Sequence, residues 1–251
     1  MPTVRELTAL YENFMLAPRA GPGVCTTCFN LTDGYTRCYA CSNHPSVIEV
    51  VAPISYSVAH EQLHHALASY KRMSGDVARR TAVQLAAVLW RYLDIHESCV
   101  ARAAGTESFP VVTTVPSGDC ERDEHHPLRS IVDELVGPTR DRHERLLRRS
   151  GANVDPRAFD ADKYIALRAL DGEPVLLIDD TWTTGANAQS AAAALRAAGA
   201  GPIAAVVIGR HVNRGWHDID RRLRALERPF DWRRCALCPE SSGELGLRAT
   251  A

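Results

Sequence analysis

Apolar residues along this chain come in two rhythms. Short unbroken runs at Val175–Ile178 and Ile203–Ile208 have the length and composition of strands buried on both faces of a parallel sheet. Phe109–Val115 reads the same way. Val47–Ser57 is a fourth strand, in which Pro53 predicts a bulge or two edge segments. Elsewhere the period lengthens to that of a helix. Asp76 to about Ala104 carries Val83, Ala87, Trp90 and Leu93 on one side, a face expected to pack on the sheet. An Ala-rich helix is expected from Asn187 to Ala198, capped by Gly199. Leu7, Leu10, Tyr11, Phe14 and Met15 predict a short lead-in helix within Val4–Leu16. Arg140, Arg142, Arg145, Arg148 and Arg149, interleaved with Asp141 and Glu144, read as a solvated helix face, with phosphate or nucleic-acid contact as the alternative, and Gly151–Gly172 is turn-rich. Strands alternating with helices predict an α/β fold, with Ile203–Ile208 completing a strand-helix-strand unit.

Composition narrows the partners. The 251 residues carry 29 Lys and Arg against 30 Asp and Glu, so no global charge favours nucleic acid or an anionic membrane. No apolar run approaches a membrane span, and MPTVRELTAL lacks the basic region and apolar core of a signal peptide, so the expected compartment is cytoplasmic. Eight cysteines there read as metal ligands or free thiols before disulfides. Cys25, Cys28, Cys38 and Cys41 form two Cys-x-x-Cys knuckles around a turn at Asp33-Gly34. Two knuckles can present four thiolates to one tetrahedral Zn²⁺, and so short a segment has too little core to order itself without metal. Cys235 and Cys238 form a third Cys-x-x-Cys with no nearby second pair, which leaves free thiols or a weakly signalled second metal site. His60-Glu61-Gln62-Leu63-His64 matches the zinc-protease pattern on a predicted helix, but no third-ligand context follows, which leaves metalloprotease chemistry as an alternative only.

The chemistry concentrates at Pro174–Asn187, PVLLIDDTWTTGAN. A strand ends in Asp179 and Asp180, a hydroxyl-rich loop from Thr181 to Gly185 follows, and a helix begins. Backbone amides and the positive helix end suit a phosphate dianion there. Adjacent carboxylates at a strand's carboxyl end suit sugar hydroxyls or hydrated Mg²⁺ instead. One ligand carrying a phosphate and a vicinal diol satisfies both. A Walker A loop is a poorer match, because its lysine is missing after the glycine. The turn Pro116-Ser117-Gly118-Asp119 is expected on the same side of the sheet.

The run of hydrophobics, Asp-Asp, two variable residues and Thr-Thr-Gly resembles the phosphoribosyl pyrophosphate (PRPP) motif of type I phosphoribosyltransferases. A four-cysteine ribbon ahead of such a domain resembles the ComF-like branch, as does ISYSVAHEQLHHALASYKR, whose Lys71 matches a recurrent lysine. The resemblance implies a lead-in helix and zinc ribbon over residues 1–45 and a phosphoribosyltransferase domain, a parallel sheet flanked by helices, over 46–251. It implies that Asp179 and Asp180 hold the ribose hydroxyls of PRPP with its Mg²⁺. Thr181, Trp182, Thr183, Thr184 and Gly185 would wrap the 5-phosphate, and Pro116, Ser117, Gly118 and Asp119 would form the pyrophosphate loop. Relatives carry basic residues and an Arg-Gly-Phe-Asn run there. This chain has Asp119, Glu121, Asp123 and Glu124 around Arg122, which calls for Mg²⁺ between loop and pyrophosphate. The implied activity is phosphoribosyl transfer to a nucleobase or amine. The alternative is a non-enzymatic PRPP or nucleotide sensor, or a competence-type accessory of DNA uptake. A protein or nucleic-acid partner at the ribbon and a homodimer stay open.

Overall fold

The structure is a computed structural model that describes residues 2–117, 123, 126–155, 157–216, 218–226 and 230–239. It is an α/β fold around a parallel sheet of four strands: β1 (Val50–Val58), β2 (Val111–Thr114), β5 (Val175–Trp182) and β6 (Ile203–Val212), in the order β1-β6-β5-β2. A small antiparallel pair, β3 (Leu147–Arg149) and β4 (Tyr164–Ala166), stands apart. Strand alternation divides the apolar residues between two faces. Ala52, Ile54, Val112, Leu176, Ile178, Ala204, Val206 and Ile208 face a large core under two helices, α3 (Gln62–Arg72) and α4 (Gly75–Ala103). Val51, Val111, Val175, Leu177, Ile203, Ala205 and Val207 face the opposite core with the four N-terminal cysteines and α7 (Ala186–Ala197).

The other helical pieces among the described residues are short: α1 (Val4–Thr8), α2 (Tyr39–Ser42), α5 (Pro127–Ser130) running into a π-helical turn at Ile131–Leu135, α6 (Gly137–Arg140), a 3-10 turn at Ala161–Lys163, and α8 (Ile219–Leu226). Among the described residues no helix is long and apolar enough to cross a membrane. The lead-in helix stops at Thr8, because Tyr11, Phe14 and Met15 are spent differently. The segment after it runs along β1, where Tyr56 N–H donates to Met15 O at 3.1 Å, covering an otherwise open sheet edge. Pro53 neither bulges nor splits β1, whose register against β6 is continuous from Val50↔Ala204 to Val58↔Val212. An edge strand tolerates the missing N–H.

The long helix lies where its period predicts, but on a slightly different face. Val83 is exposed, and the buried stripe runs through Leu85, Leu89, Tyr92, Leu93, His96 and Val100. Its end is a Schellman motif, with Thr106 N–H on Ala101 O at 3.0 Å and Gly105 at φ +74°. The same motif closes α7 at Gly199, φ +97°. The predicted basic helix over 140–149 does not form. Arg140 ends α6, residues 142–144 hydrogen-bond along the edge of β2, and 147–149 are β3. Arg142 pairs with Glu97 at 2.6 Å and Arg145 with Asp123 at 2.9 Å, so these arginines serve intramolecular partners.

Candidate functional site

β5 runs further than its apolar stretch suggests. Pairing with β6 continues through Asp179↔Val207, Thr181↔Gly209 and Trp182↔Arg210, so both acids and Trp182 lie in the strand and the loop shrinks to Thr183–Gly185. Alternation then separates the doublet. Asp179, half-buried, lines a concavity of about 70 Å³ with Thr181, Thr183, Thr184, Gly185, Ala186, Asn187 and Ala188. Its carboxylate accepts the Asp180 amide at 2.8 Å. Burial, reinforced by the Asp180 charge, pushes the Asp179 carboxyl up to about 7.

Asp180 points to the α3 side of the sheet and is 2% exposed. Its carboxylate accepts Lys71 Nζ at 2.8 Å and the Tyr70 hydroxyl, both from the last turn of α3. Burial works against the Lys71 ammonium, yet Asp180 outweighs it and holds Lys71 above the ordinary lysine range. Burial together with Asp180 raises Tyr70 well above the usual phenol value. The two acids of one dipeptide thus present different chemistry: Asp179 is open to a ligand, and Asp180 is an internal anchor.

Gly185 occupies the N-cap of α7 at φ +84°, a left-handed conformation that L side chains adopt at a cost. A Cβ there would lie 2.2 Å from Cζ2 of Trp182. Trp182 therefore enters the site only as its floor. The indole is 1% exposed and packs in the core beneath the loop, so its side chain does not line the concavity as the other residues of the motif do. The first turn of α7 offers amides that have no intrahelical acceptor, and Thr184 Oγ1 accepts one, from Ala186, at 3.3 Å.

The turn-rich stretch before β4 closes on the same helix end. Asp160 N–H donates to Ser190 Oγ at 2.9 Å, and buried Lys163 reaches Asn187 Oδ1 at 3.3 Å. Burial, with Arg149 nearby, lowers the Lys163 ammonium from its ordinary value. Arg149 Nη1 is buried without a hydrogen-bond partner among the described residues. Tyr164, beside both, approaches Pro116 O at 3.4 Å. Of the expected pyrophosphate loop, Pro116 and Ser117 end near this cluster, while Gly118 and Asp119 lie outside the described residues. Ser117 N–H donates to Asp123 Oδ1 at 3.1 Å, and the same carboxylate takes Arg145.

The ribbon cysteines converge. The sulfurs of Cys25, Cys28, Cys38 and Cys41 all lie within 4.8 Å of one another, Cys28 to Cys38 at 3.7 Å, and all four residues are buried. Donors of this type and spacing can hold a metal such as zinc, for which about 3.8 Å between sulfurs follows from Zn–S bonds of about 2.3 Å in a tetrahedron. Hydrogen bonds from Cys28, Cys38 and Cys41 lower the Cys25 thiol, while bonds within the same group raise Cys41, so the thiols share protons that a cation can displace. Buried Arg210 bridges this group to the end of β5. Its Nε donates to Cys28 Sγ at 3.4 Å and its Nη1 to Trp182 O at 3.1 Å. Four thiolates around one Zn²⁺ carry net negative charge, which the guanidinium offsets.

A second group assembles across the chain. His96, Cys99, Cys235 and Cys238 also bring four donor atoms within 4.8 Å, which gives Cys235 and Cys238 the two further donors that the sequence did not place beside them. The signal was present as His-x-x-Cys on one helix face, but only the tertiary fold brings it to the distant knuckle. The zinc-protease pattern, in contrast, is not on a helix face. His60 sits at φ +67° before α3, which begins at Gln62, and Glu61 pairs with Arg214 at 2.8 Å. Comparison with known proteins returned no matching family model, no matching curated protein and no matching solved structure.

Proposed function

We propose that this chain is a phosphoribosyltransferase of the type I, ComF-like kind, acting on Mg²⁺-PRPP behind a structural zinc ribbon. The observation that carries the reading is Asp179 opening onto a hydroxyl-lined concavity at the start of α7. In this reading Thr183, Thr184, Gly185 and the first amides of α7 hold the 5-phosphate. Asp179 accepts the ribose hydroxyls and favours positive charge as it builds on the ring during departure of pyrophosphate. Asp180 acts through Lys71 and Tyr70, fixing the end of α3 beside the sugar. Buried Lys163 and Arg149 add positive charge near the phosphate side. Mg²⁺, bound with PRPP, would neutralise the leaving pyrophosphate. The acceptor is a nucleobase or amine.

The second reading, a sensor that binds PRPP without transfer, is favoured by the occupied pyrophosphate side. Asp123 takes the Ser117 amide and Arg145, leaving fewer donors for a leaving group. The deciding experiment incubates protein, Mg²⁺ and PRPP with pooled nucleobases, amines and ammonia and follows pyrophosphate. Transfer predicts acceptor-dependent release that Asp179→Asn abolishes. Saturable PRPP binding without release selects the sensor, and no binding by zinc-replete protein rejects both.

A further inference from the structure

The group formed by His96, Cys99, Cys235 and Cys238 lies on the α4 side of the sheet, away from the Asp179 concavity. His96 and Cys99 are three apart on α4, which puts both on one face of the helix. Cys235 and Cys238 come from a C-terminal segment, residues 230–239, that contains only turns. Its sulfurs meet the helix across a long stretch of chain: Cys99 Sγ to Cys238 Sγ is 4.0 Å and Cys235 Sγ to Cys238 Sγ is 3.4 Å. His96 Nδ1 stands 3.6 Å from Cys238 Sγ and 4.0 Å from Cys99 Sγ. These separations bracket the roughly 3.5 to 3.8 Å expected between ligand atoms around tetrahedral zinc.

Two further contacts are those of a metal site rather than a thiol patch. His96 Nε2 lies 2.8 Å from Trp232 O. Donation from Nε2 to that carbonyl fixes the tautomer and leaves the Nδ1 lone pair turned to the sulfurs, the outer-shell bond that zinc-bound histidines make. Cys235 N–H donates to Cys238 Sγ at 3.2 Å, an amide-to-sulfur bond that stabilises a thiolate in a knuckle. His96, Cys99 and Cys235 are buried, and each described cysteine is free of disulfide.

We infer that His96, Cys99, Cys235 and Cys238 form a second structural zinc site that fastens the C-terminal segment onto α4. Binding displaces three thiol protons and uses neutral imidazole, so Zn²⁺ with three thiolates leaves one net negative charge on the site. The consequence reaches beyond the ligands. Trp232, between the knuckle and Phe14, stacks under Arg91 at 4.4 Å, and together with Phe230 it walls a cavity of about 500 Å³ against α1 and α4. A segment without helix or strand hydrogen bonds keeps that wall in place through its side chains, and the metal is the strongest of those attachments.

The test uses the full chain purified without added chelator. Elemental analysis should find two zinc per chain, with Cys28→Ser and Cys99→Ser each removing one. Cobalt replacement gives a readout that a merely structural role for His96 does not move. His96→Cys should keep both metals while its thiolate-to-cobalt charge-transfer band grows. If Cys99→Ser does not fold, the wild type alone decides. Cys99, Cys235 and Cys238 should resist alkylation until a chelator is added, and tryptic cleavage after Arg233 should then accelerate at least tenfold. One zinc per wild-type chain, two in Cys99→Ser, a Cys235–Cys238 disulfide in fresh protein, or equal alkylation with and without chelator would each overturn the proposal.

Discussion

The two faces of the sheet are built by different means. Toward α3 and α4 the core is thick and ordinary, with Leu85, Leu89, Leu93, Phe109 and Leu176 fully or almost fully buried. Toward α7 the helix is mostly alanine, and Trp182, Leu146, Leu147, Tyr164, Leu195 and the four ribbon cysteines fill the space beside it. The first face is apolar throughout, whereas the second adds to its apolar core a four-cysteine group that could hold a metal and a close Trp182–Gly185 contact. The candidate ligand site lies on the second face. Small residues let α7 approach the sheet closely, so its amino end reaches the strand tip.

That contrast yields its largest expected effect at the ribbon. On the zinc-ribbon proposal, Cys28→Ser should release the ribbon metal and loosen Trp182 through Arg210. Apparent binding free energies of structural zinc are on the order of 10 kcal/mol, so the N-terminal segment should unfold. Proteolysis should show residues 20–45 cleaved while α4 stays protected. Leu89→Ala, on the thick face, should instead cost about 3 kcal/mol in global stability and leave zinc content unchanged. If Cys28→Ser keeps full metal and full protease resistance, the two faces do not differ in this way.

Gly185→Val comes next. A β-branched residue at φ +84° overlapping the Trp182 ring should cost about 3 kcal/mol or more, read from denaturant unfolding, and should abolish PRPP binding. Retained binding in calorimetry would mean that the loop is not a phosphate cradle.

The aspartate doublet tests the comparison within one dipeptide. Breaking a buried ion pair costs about 3 to 5 kcal/mol, but the Lys71 side chain is 43% exposed, so Asp180→Asn should destabilise by about 2 kcal/mol. Asp179→Asn should leave stability unchanged or slightly higher, because it relieves a crowded acid pair, while weakening Mg²⁺-PRPP binding by about 1 to 3 kcal/mol. Equal loss of stability in both would mean that alternation does not divide their roles.

The smallest effect is a pH signature. The folded Asp179 carboxyl is raised from 3.8 to about 7, so its contribution to stability is full below about pH 4 and is lost as pH rises through 7. A bound cation prefers the carboxylate, so Mg²⁺-PRPP affinity should increase over the same window. Asp179→Asn should flatten both profiles, and an unchanged affinity profile in the variant would assign the titration elsewhere.

Sequence alone determined the parallel strands, the long helix, the glycine cap at Gly199 and the proximity of the four ribbon cysteines. Each rests on local patterning: periodicity, left-handed glycine, or knuckles a few residues apart. It also located the chemistry at Pro174–Asn187. Only the tertiary structure decided how far β5 runs, because pairing with β6 carries Asp179 and Asp180 into the strand and turns them to opposite faces. It likewise placed Trp182 under Gly185, linked Cys28 to the end of β5 through Arg210, buried Lys163 beside Asn187, and brought Cys235 and Cys238 to His96 and Cys99. These are contacts between segments far apart in the chain. Local propensity carries no information about them until burial of the two apolar faces fixes which elements meet.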